Sequence, residues 1–292
     1  MNPDLKDMQT LAVVGRNKVK SSIYLLPNII TASSLFFGML AMMYAIEGRL
    51  QAEITFFSFA AYALLAAAVC DGLEGSVARF THTQSAFGVQ LDSLSDAISF
   101  GVAPAIVMYN FSLHQFHRLG FFVCFAYALC GVLRLARFNV QTTLGRANGN
   151  FTGIPIPMAA APLAVYLLAQ GEMRSWLAAP TFYMDWQIGM ASWLLDPMVQ
   201  GRILLVLMFS LALGMISTFE YLSHKSLKLP RRRPFRMLAL VLIAGAFIIL
   251  FDYVLALALF LVIYSLHGPV RWLFTRKDRS EEEEEIFDAG EE

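Results

Sequence analysis

The sequence predicts an all-α protein: a polytopic helix bundle integral to a membrane, with about eight transmembrane helices. Three observations carry that expectation. Hydrophobic residues make up 57% of the 292 residues and charged residues only 15%, whereas water-soluble domains carry about a quarter charged residues. The apolar residues gather into runs near the ~20 needed to cross a bilayer. The basic residues fall into alternate intervals between those runs. The same composition excludes a disordered chain, a collagen-like repeat and a disulfide scaffold. The 22 basic and 22 acidic residues balance, so no nucleic-acid partner is expected.

Apolar runs cover 26–46, 54–70, 97–111, 119–133, 154–169 and 203–219. A longer block, 237–266, is too long for one span and is interrupted by Asp252 and Tyr253, so it reads as a helical hairpin. Of the 22 Lys and Arg residues, all but Arg49, Arg118, Arg174 and Arg202 then fall on one side. The positive-inside rule makes that side the cytoplasm, with both termini on it. Four segments follow: a basic amphipathic stretch at 1–22, expected on the inner leaflet; the core at 23–236; the additional hairpin at 237–274; and an acidic, solvated tail at 275–292 containing Glu281 to Glu285. No secretory leader is expected, because the first apolar run begins only near Ile23.

The outer connection 172–200 holds Trp176, Trp186 and Trp193. Their amphipathic rings suit the headgroup layer, so it reads as an interfacial segment. Cys70, Cys124 and Cys130 sit in apolar runs without a CxxC spacing and read as small hydrophobes. The five histidines receive no role. His82 in the polar linker reads as a solvent-facing turn residue.

Carboxylates at membrane helices are costly and mark function. Asp71, Glu74, Asp92 and Asp96 crowd into 26 residues. Asp71 and Glu74 are i, i+3 at the end of the second helix. Asp92 and Asp96 are i, i+4 at the start of the third. Each pair therefore shares a helix face, and the topology puts all four at one cytoplasmic level. Four like charges require compensation. Oxygen-only ligands suit Mg²⁺, Mn²⁺ or Ca²⁺ rather than zinc, and four carboxylates suffice for a two-metal site of the kind used in phosphoryl transfer. Gly72, Gly75, Ala78 and Gly88 flank the acids and would let a ligand approach the backbone; helix packing alone also uses such residues.

The stretch DGLEGSVARFTHTQSAFGVQLDSLSD, Asp71 to Asp96, resembles the signature of the CDP-alcohol phosphatidyltransferases: Asp, two residues, Asp-Gly, two residues, Ala-Arg, eight residues, Gly, three residues, Asp, three residues, Asp. Every spacing matches, and one letter departs: Glu74 stands where the pattern has Asp. Further stretches (LPNIIT from Leu26, SFGVAPA from Ser99, LRLARFN from Leu133, FTGIPIP from Phe151 and RRRPFR from Arg231) are similar to the phosphatidylserine synthase branch.

That resemblance implies a dimeric enzyme with a six-helix catalytic core and its site open to the cytoplasm, in a bacterial-type cytoplasmic membrane. It implies two divalent cations, Mg²⁺ or Mn²⁺ with Ca²⁺ a further option. The substrates would be CDP-diacylglycerol and L-serine, and the products phosphatidylserine and CMP. By position, Asp71, Glu74 and Asp92 would hold one metal and Asp71, Asp92 and Asp96 the other. Asp96 would also take the proton from the serine hydroxyl. Gly75, Ala78, Arg79 and Gly88 would line the nucleotide site, with Asn28 and Thr31 near the cytidine or phosphates. Arg134 and Arg137 suit planar recognition of a lipid phosphate or the serine carboxylate, or serve as positive-inside anchors. Two alternatives accompany this expectation: the same chemistry with inositol phosphate, glycerol phosphate or choline as acceptor, and a divalent-cation or lipid transporter. The second fits less well, since transporter sites lie near the midplane of repeated halves.

Overall fold

The structure is a computed structural model that describes the backbone of residues 3–81, 86–143, 151–182, 184–217 and 220–221, with side chains described from Pro27 onward and away from the segment edges. The expected hairpin at 237–266, the acidic tail, the side chains of the N-terminal basic stretch, and those of Ala78, Arg79 and His82 lie outside the described residues.

Eight α-helices make up the described chain: α1 (Pro3–Gln51), α2 (Ile54–Thr81), α3 (Ala86–Asp96), α4 (Ala103–Phe111), α5 (His117–Thr143), α6 (Ile156–Ala178), α7 (Asp185–Leu194) and α8 (Pro197–Ile216). The one departure from an all-helical plan is a two-residue antiparallel pairing of β1 (Phe151–Thr152) with β2 (Glu220–Tyr221). Five stretches are long and apolar enough to cross a membrane: Pro27–Gln51, Ile54–Val77, Phe87–Phe111, Leu113–Thr142 and Pro197–Ile216. The chain is an integral membrane protein, and its surface agrees. Phe36, Met43, Tyr62, Val69, Phe121, Phe122, Phe125, Val206 and Leu213 point outward and are exposed, an apolar exterior that suits lipid rather than water. α6 is the central helix instead, burying Leu163, Ala164, Leu167, Leu168 and Trp176 against its neighbours.

α1 continues unbroken from Pro3 through Pro27 to Gln51, so the N-terminal stretch is continuous with the first span rather than a separate helix. α1 and α2 form an antiparallel hairpin over a two-residue turn. Ala52 takes a left-handed conformation there (φ 54°), and Glu53 N donates to Gly48 O at 3.1 Å. Ala41, Ala45, Ala60, Ala61 and Ala67 are buried along the crossing; small side chains let helices approach closely in a membrane.

α3 and α4 are one helix interrupted by a π-helical turn, Ala97–Val102, directly after Asp96. Pro104 follows that turn. Lacking an N–H, it cannot bond the carbonyl four residues back. The fully buried Tyr127 supplies the missing donor, its hydroxyl reaching Phe100 O at 3.2 Å. Single π turns inside α-helices gather at functional sites.

The interfacial expectation for 172–200 needs one correction. α6 runs on to Ala178, and Trp176 on it is 1% exposed, packed in the core. Only Trp186 and Trp193, seven residues apart on α7, are exposed. A tryptophan two turns past a span can still face inward when its helix continues, which composition does not reveal.

Candidate metal and phosphoryl-transfer site

Antiparallel pairing of α1 and α2 sets the level of the site. Thr31 lies 21 residues before Ala52, and Glu74 lies a similar distance after it, so equal rise per residue brings them side by side. α3 then docks on α1 through a ladder of hydroxyls. Ser95 Oγ donates to Thr31 O at 3.2 Å and Ser99 Oγ to Ser34 O at 3.1 Å. Ser34 Oγ in turn donates to Ala67 O on α2 at 3.1 Å. Gly38 makes the close approach possible, because a Cβ there would sit 2.7–2.8 Å from Ser99.

That scaffold brings Asp71 of α2 and Asp92 and Asp96 of α3 together, each offering an oxygen within 4.8 Å of the others. All three are half-buried. Two oxygens on opposite sides of a hard divalent cation lie about 4–5 Å apart, so the trio fits one cation in size, and its all-oxygen donor set fits Mg²⁺, Mn²⁺ or Ca²⁺ in kind. Glu74 is more deeply set at 7% exposure. It accepts a hydrogen bond from Thr31 Oγ1, which also contacts Pro27 O at 3.1 Å, and it lies within hydrogen-bonding reach of Asp92. The fourth acid is therefore tied to α1 at the edge of the trio.

Among the other sequence-predicted positions, Asn28 is half-buried one turn before Thr31. Gly75 and Gly88 are half-buried on the helices that carry the acids, and the space beside Gly72 is open. Arg134 is buried and acts electrostatically on Asp96. Arg137 goes elsewhere: its guanidinium donates to Ile216 O at 3.1 Å and to Met215 O and Ser217 O at 3.4 Å. Those are end carbonyls of α8, where a cation complements the helix dipole. The sequence also left unmarked a polar pair beside Asp92, in which Asn139 Nδ2 donates to Ser93 Oγ at 3.0 Å. Asn139 closes the LRLARFN stretch; a polar residue five positions past Arg134, near the end of an apolar helix, was its only signal.

The family model for CDP-alcohol phosphatidyltransferase matches residues 24–194, a stretch that contains the whole carboxylate cluster. The chain belongs to the CDP-alcohol phosphatidyltransferase family. It is 33% identical over 252 residues to a CDP-diacylglycerol–serine O-phosphatidyltransferase of Helicobacter pylori, covering 86% of this chain and 92% of that one. A protein of the same name from Mycobacterium tuberculosis is 34% identical over 180 residues, or 60% of this chain and 59% of its own. An archaetidylserine synthase of Methanothermobacter thermautotrophicus is 40% identical over 154 residues, 52% of this chain and 61% of its own. Family membership thus rests on the segment that the fold organises around Asp71, Asp92 and Asp96.

Proposed function

We propose that the protein transfers the phosphatidyl group of CDP-diacylglycerol to the hydroxyl of L-serine, giving phosphatidylserine and CMP. The observation that carries this reading is the convergence of Asp71, Asp92 and Asp96 oxygens within 4.8 Å at one end of an apolar bundle, in a chain whose relatives are named for serine transfer. Asp71, Asp92 and Asp96 would hold one divalent cation and Asp71, Glu74 and Asp92 a second. Bound there, such cations supply the positive charge that lets a diphosphate sit beside four carboxylates and that offsets charge on the departing CMP.

The chain's own residues do the rest. Asp96 takes the proton of the serine hydroxyl as that oxygen forms its bond to the phosphorus bearing the diacylglycerol, and the bond from that phosphorus to the CMP oxygen breaks. A positioned base of this kind contributes ~10²- to 10⁴-fold. Arg134, which acts electrostatically on Asp96, would hold the serine carboxylate with its planar fork. The open face at Gly72, with Gly75, Ala78, Arg79 and Gly88, receives the nucleotide, and Asn28 and Thr31 close it from α1. The acyl chains lie on the apolar exterior. The site faces the cytoplasm, where the positive-inside rule puts the basic segments, and the enzyme works as a homodimer.

Purified full-length protein given CDP-diacylglycerol, Mn²⁺ or Mg²⁺ and labelled serine is expected to form labelled lipid and release CMP in equal amounts, and chelation abolishes both. Turnover of glycerol phosphate, inositol phosphate or choline with none of serine would overturn the choice of acceptor. Metal flux into proteoliposomes without nucleotide would overturn the enzyme reading itself.

A further inference from the structure

A second polar cluster lies at the other end of the bundle. Tyr166, Gln170 and Arg174 follow one another at four-residue spacing on α6, which puts them on one face. Across from them stands Gln200, in the first turn of α8. Gln200 Nε2 donates to Gln170 Oε1 at 2.6 Å, and Tyr166 Oη donates to Gln200 O at 3.1 Å. Arg174 lies within electrostatic reach of Tyr166. Gln170 is 1% exposed; its Oε1 is satisfied by Gln200, while its Nε2 is buried near the Tyr166 side chain without a well-formed hydrogen bond. Arg174 Nη1 is buried without an acceptor as well.

Two buried donors on one helix face, one of them cationic, describe a missing acceptor. Leaving them unmade would cost about 1–3 kcal/mol for each group, more for the charged one. A guanidinium fork selects a planar or tetrahedral oxyanion over a neutral acceptor.

Depth identifies where that anion would come from. Ile156, at the start of α6, packs by Gly101 and Gly131, within two turns of Asp96. At 1.5 Å per residue, Gln170 lies about 21 Å further along the axis and Arg174 about 27 Å. The hydrocarbon layer is about 30 Å thick, so Arg174 reaches the opposite headgroup level. The exposed Trp186 and Trp193 of α7 follow in the same connection, as interfacial tryptophans do.

We infer that Gln170 and Arg174 form a phosphate-binding site at the end of the bundle remote from the carboxylates, filled by the phosphodiester of an anionic membrane lipid. Arg174 grips the phosphate oxygens from the headgroup level, and Gln170 Nε2 donates from below. The site holds a lipid that is not turned over, since no carboxylate cluster accompanies it among the described residues.

The test uses the full-length protein in a neutral detergent and reads the thermal midpoint during titration with phosphatidylglycerol, phosphatidylcholine or inorganic phosphate. Phosphatidylglycerol is expected to raise the midpoint saturably. Arg174→Gln is expected to weaken the apparent affinity about tenfold or more, as loss of a charge-assisted bond implies; Gln170→Leu weakens it in the same direction. Arg202→Gln, an exposed arginine on α8, controls for general charge and leaves the titration unchanged. A saturable, Arg174-dependent response to inorganic phosphate alone would keep the phosphate site and overturn its assignment to a lipid. Identical titrations for the parent and Arg174→Gln, no saturable response at all, or an equal loss in Arg202→Gln would each overturn the site. Should Gln170→Leu fail to fold, Arg174→Gln and Arg174→Lys carry the test at a half-exposed position. The lysine variant keeps the charge, loses the fork and falls between the parent and the glutamine variant.

Discussion

Replacing Asp92 with Asn tests the carboxylate trio most directly, because it should stabilise the protein in one condition and destabilise it in another. Asp71, Asp92 and Asp96 offer oxygens within 4.8 Å of one another. Two unit charges at that distance repel by about 3.5 kcal/mol at an effective dielectric of ~20. Asp92→Asn removes two of the three pairs, about 7 kcal/mol if every acid were ionised. Partial protonation of the cluster already relieves most of that, which leaves a net gain on the order of 1–2 kcal/mol. In chelator, the variant should therefore melt above the parent by about 2–8 °C. With saturating Mn²⁺ or Mg²⁺ the order reverses. The parent gains about 2.7 kcal/mol at a hundred times its dissociation constant, while the variant, one ligand short, gains far less. The assay is thermal unfolding of detergent-solubilised protein with and without metal, checked by metal-dependent CMP release, which the variant loses. Equal midpoints in chelator together with equal metal shifts would refute the idea that these three side chains share a cation.

Four further outcomes follow from the same geometry. Asp96→Asn should lower CMP release by at least ~10²- to 10⁴-fold, the contribution of a positioned base, and, being one metal ligand short, should also weaken metal-dependent nucleotide binding read by calorimetry. Thr31→Val takes the hydroxyl from buried Glu74 without changing side-chain shape; a bond to a charged group is worth about 1.5–3 kcal/mol, so metal affinity should fall about tenfold or more. Glu74→Asp should keep or raise activity, and in that background Thr31→Val should matter less, as a double-mutant cycle would show. Arg137→Gln strips the cation from the α8 carbonyls and should lower the thermal midpoint with little change in metal affinity.

Much of this was written in local patterns, and what was missing was long-range. The acids stood out because charges are rare in apolar helices, and their i, i+3 and i, i+4 spacing fixed their faces before any fold was known. Spacing within a helix is silent about partners on another. Glu74 bonds Thr31 across 43 residues, and Arg137 meets α8 across nearly eighty; both side chains looked alike from the sequence, as polar groups at the inner ends of spans. The π turn had a cue in Gly101 and Pro104, but its completion by Tyr127 depends on α5 packing beside it. Trp176 misled because tryptophan serves equally in an interface belt and a helical core, and only the extension of α6 to Ala178 separates the two.

The hydroxyl ladder on α1 explains why a stretch of helix without charges, 27–46, belongs to a charged site. Asp71 sits on α2, Asp92 and Asp96 on α3, and their repulsion in the absence of a counter-charge pushes those two helices apart. Between α2 and α3 themselves, the contact of Glu74 with Asp92 resists that force, and α1 adds to it. α1 touches both. It holds α2 through Thr31 to Glu74 and Ser34 to Ala67, and it holds α3 through Ser95 to Thr31 and Ser99 to Ser34. Thr31 and Ser34 each serve both sides, one with its hydroxyl and the other with its carbonyl. The two residues form a clamp that keeps three carboxylates closer than their charges favour, so the site is preorganised for a cation before one arrives. The extra methylene of Glu74 fits this arrangement: it carries the fourth carboxylate across to the α1 clamp, where an aspartate would reach less far. The geometry of the carboxylate cluster is therefore maintained by neutral hydroxyls and a glycine contact at Gly38 as much as by the acids themselves.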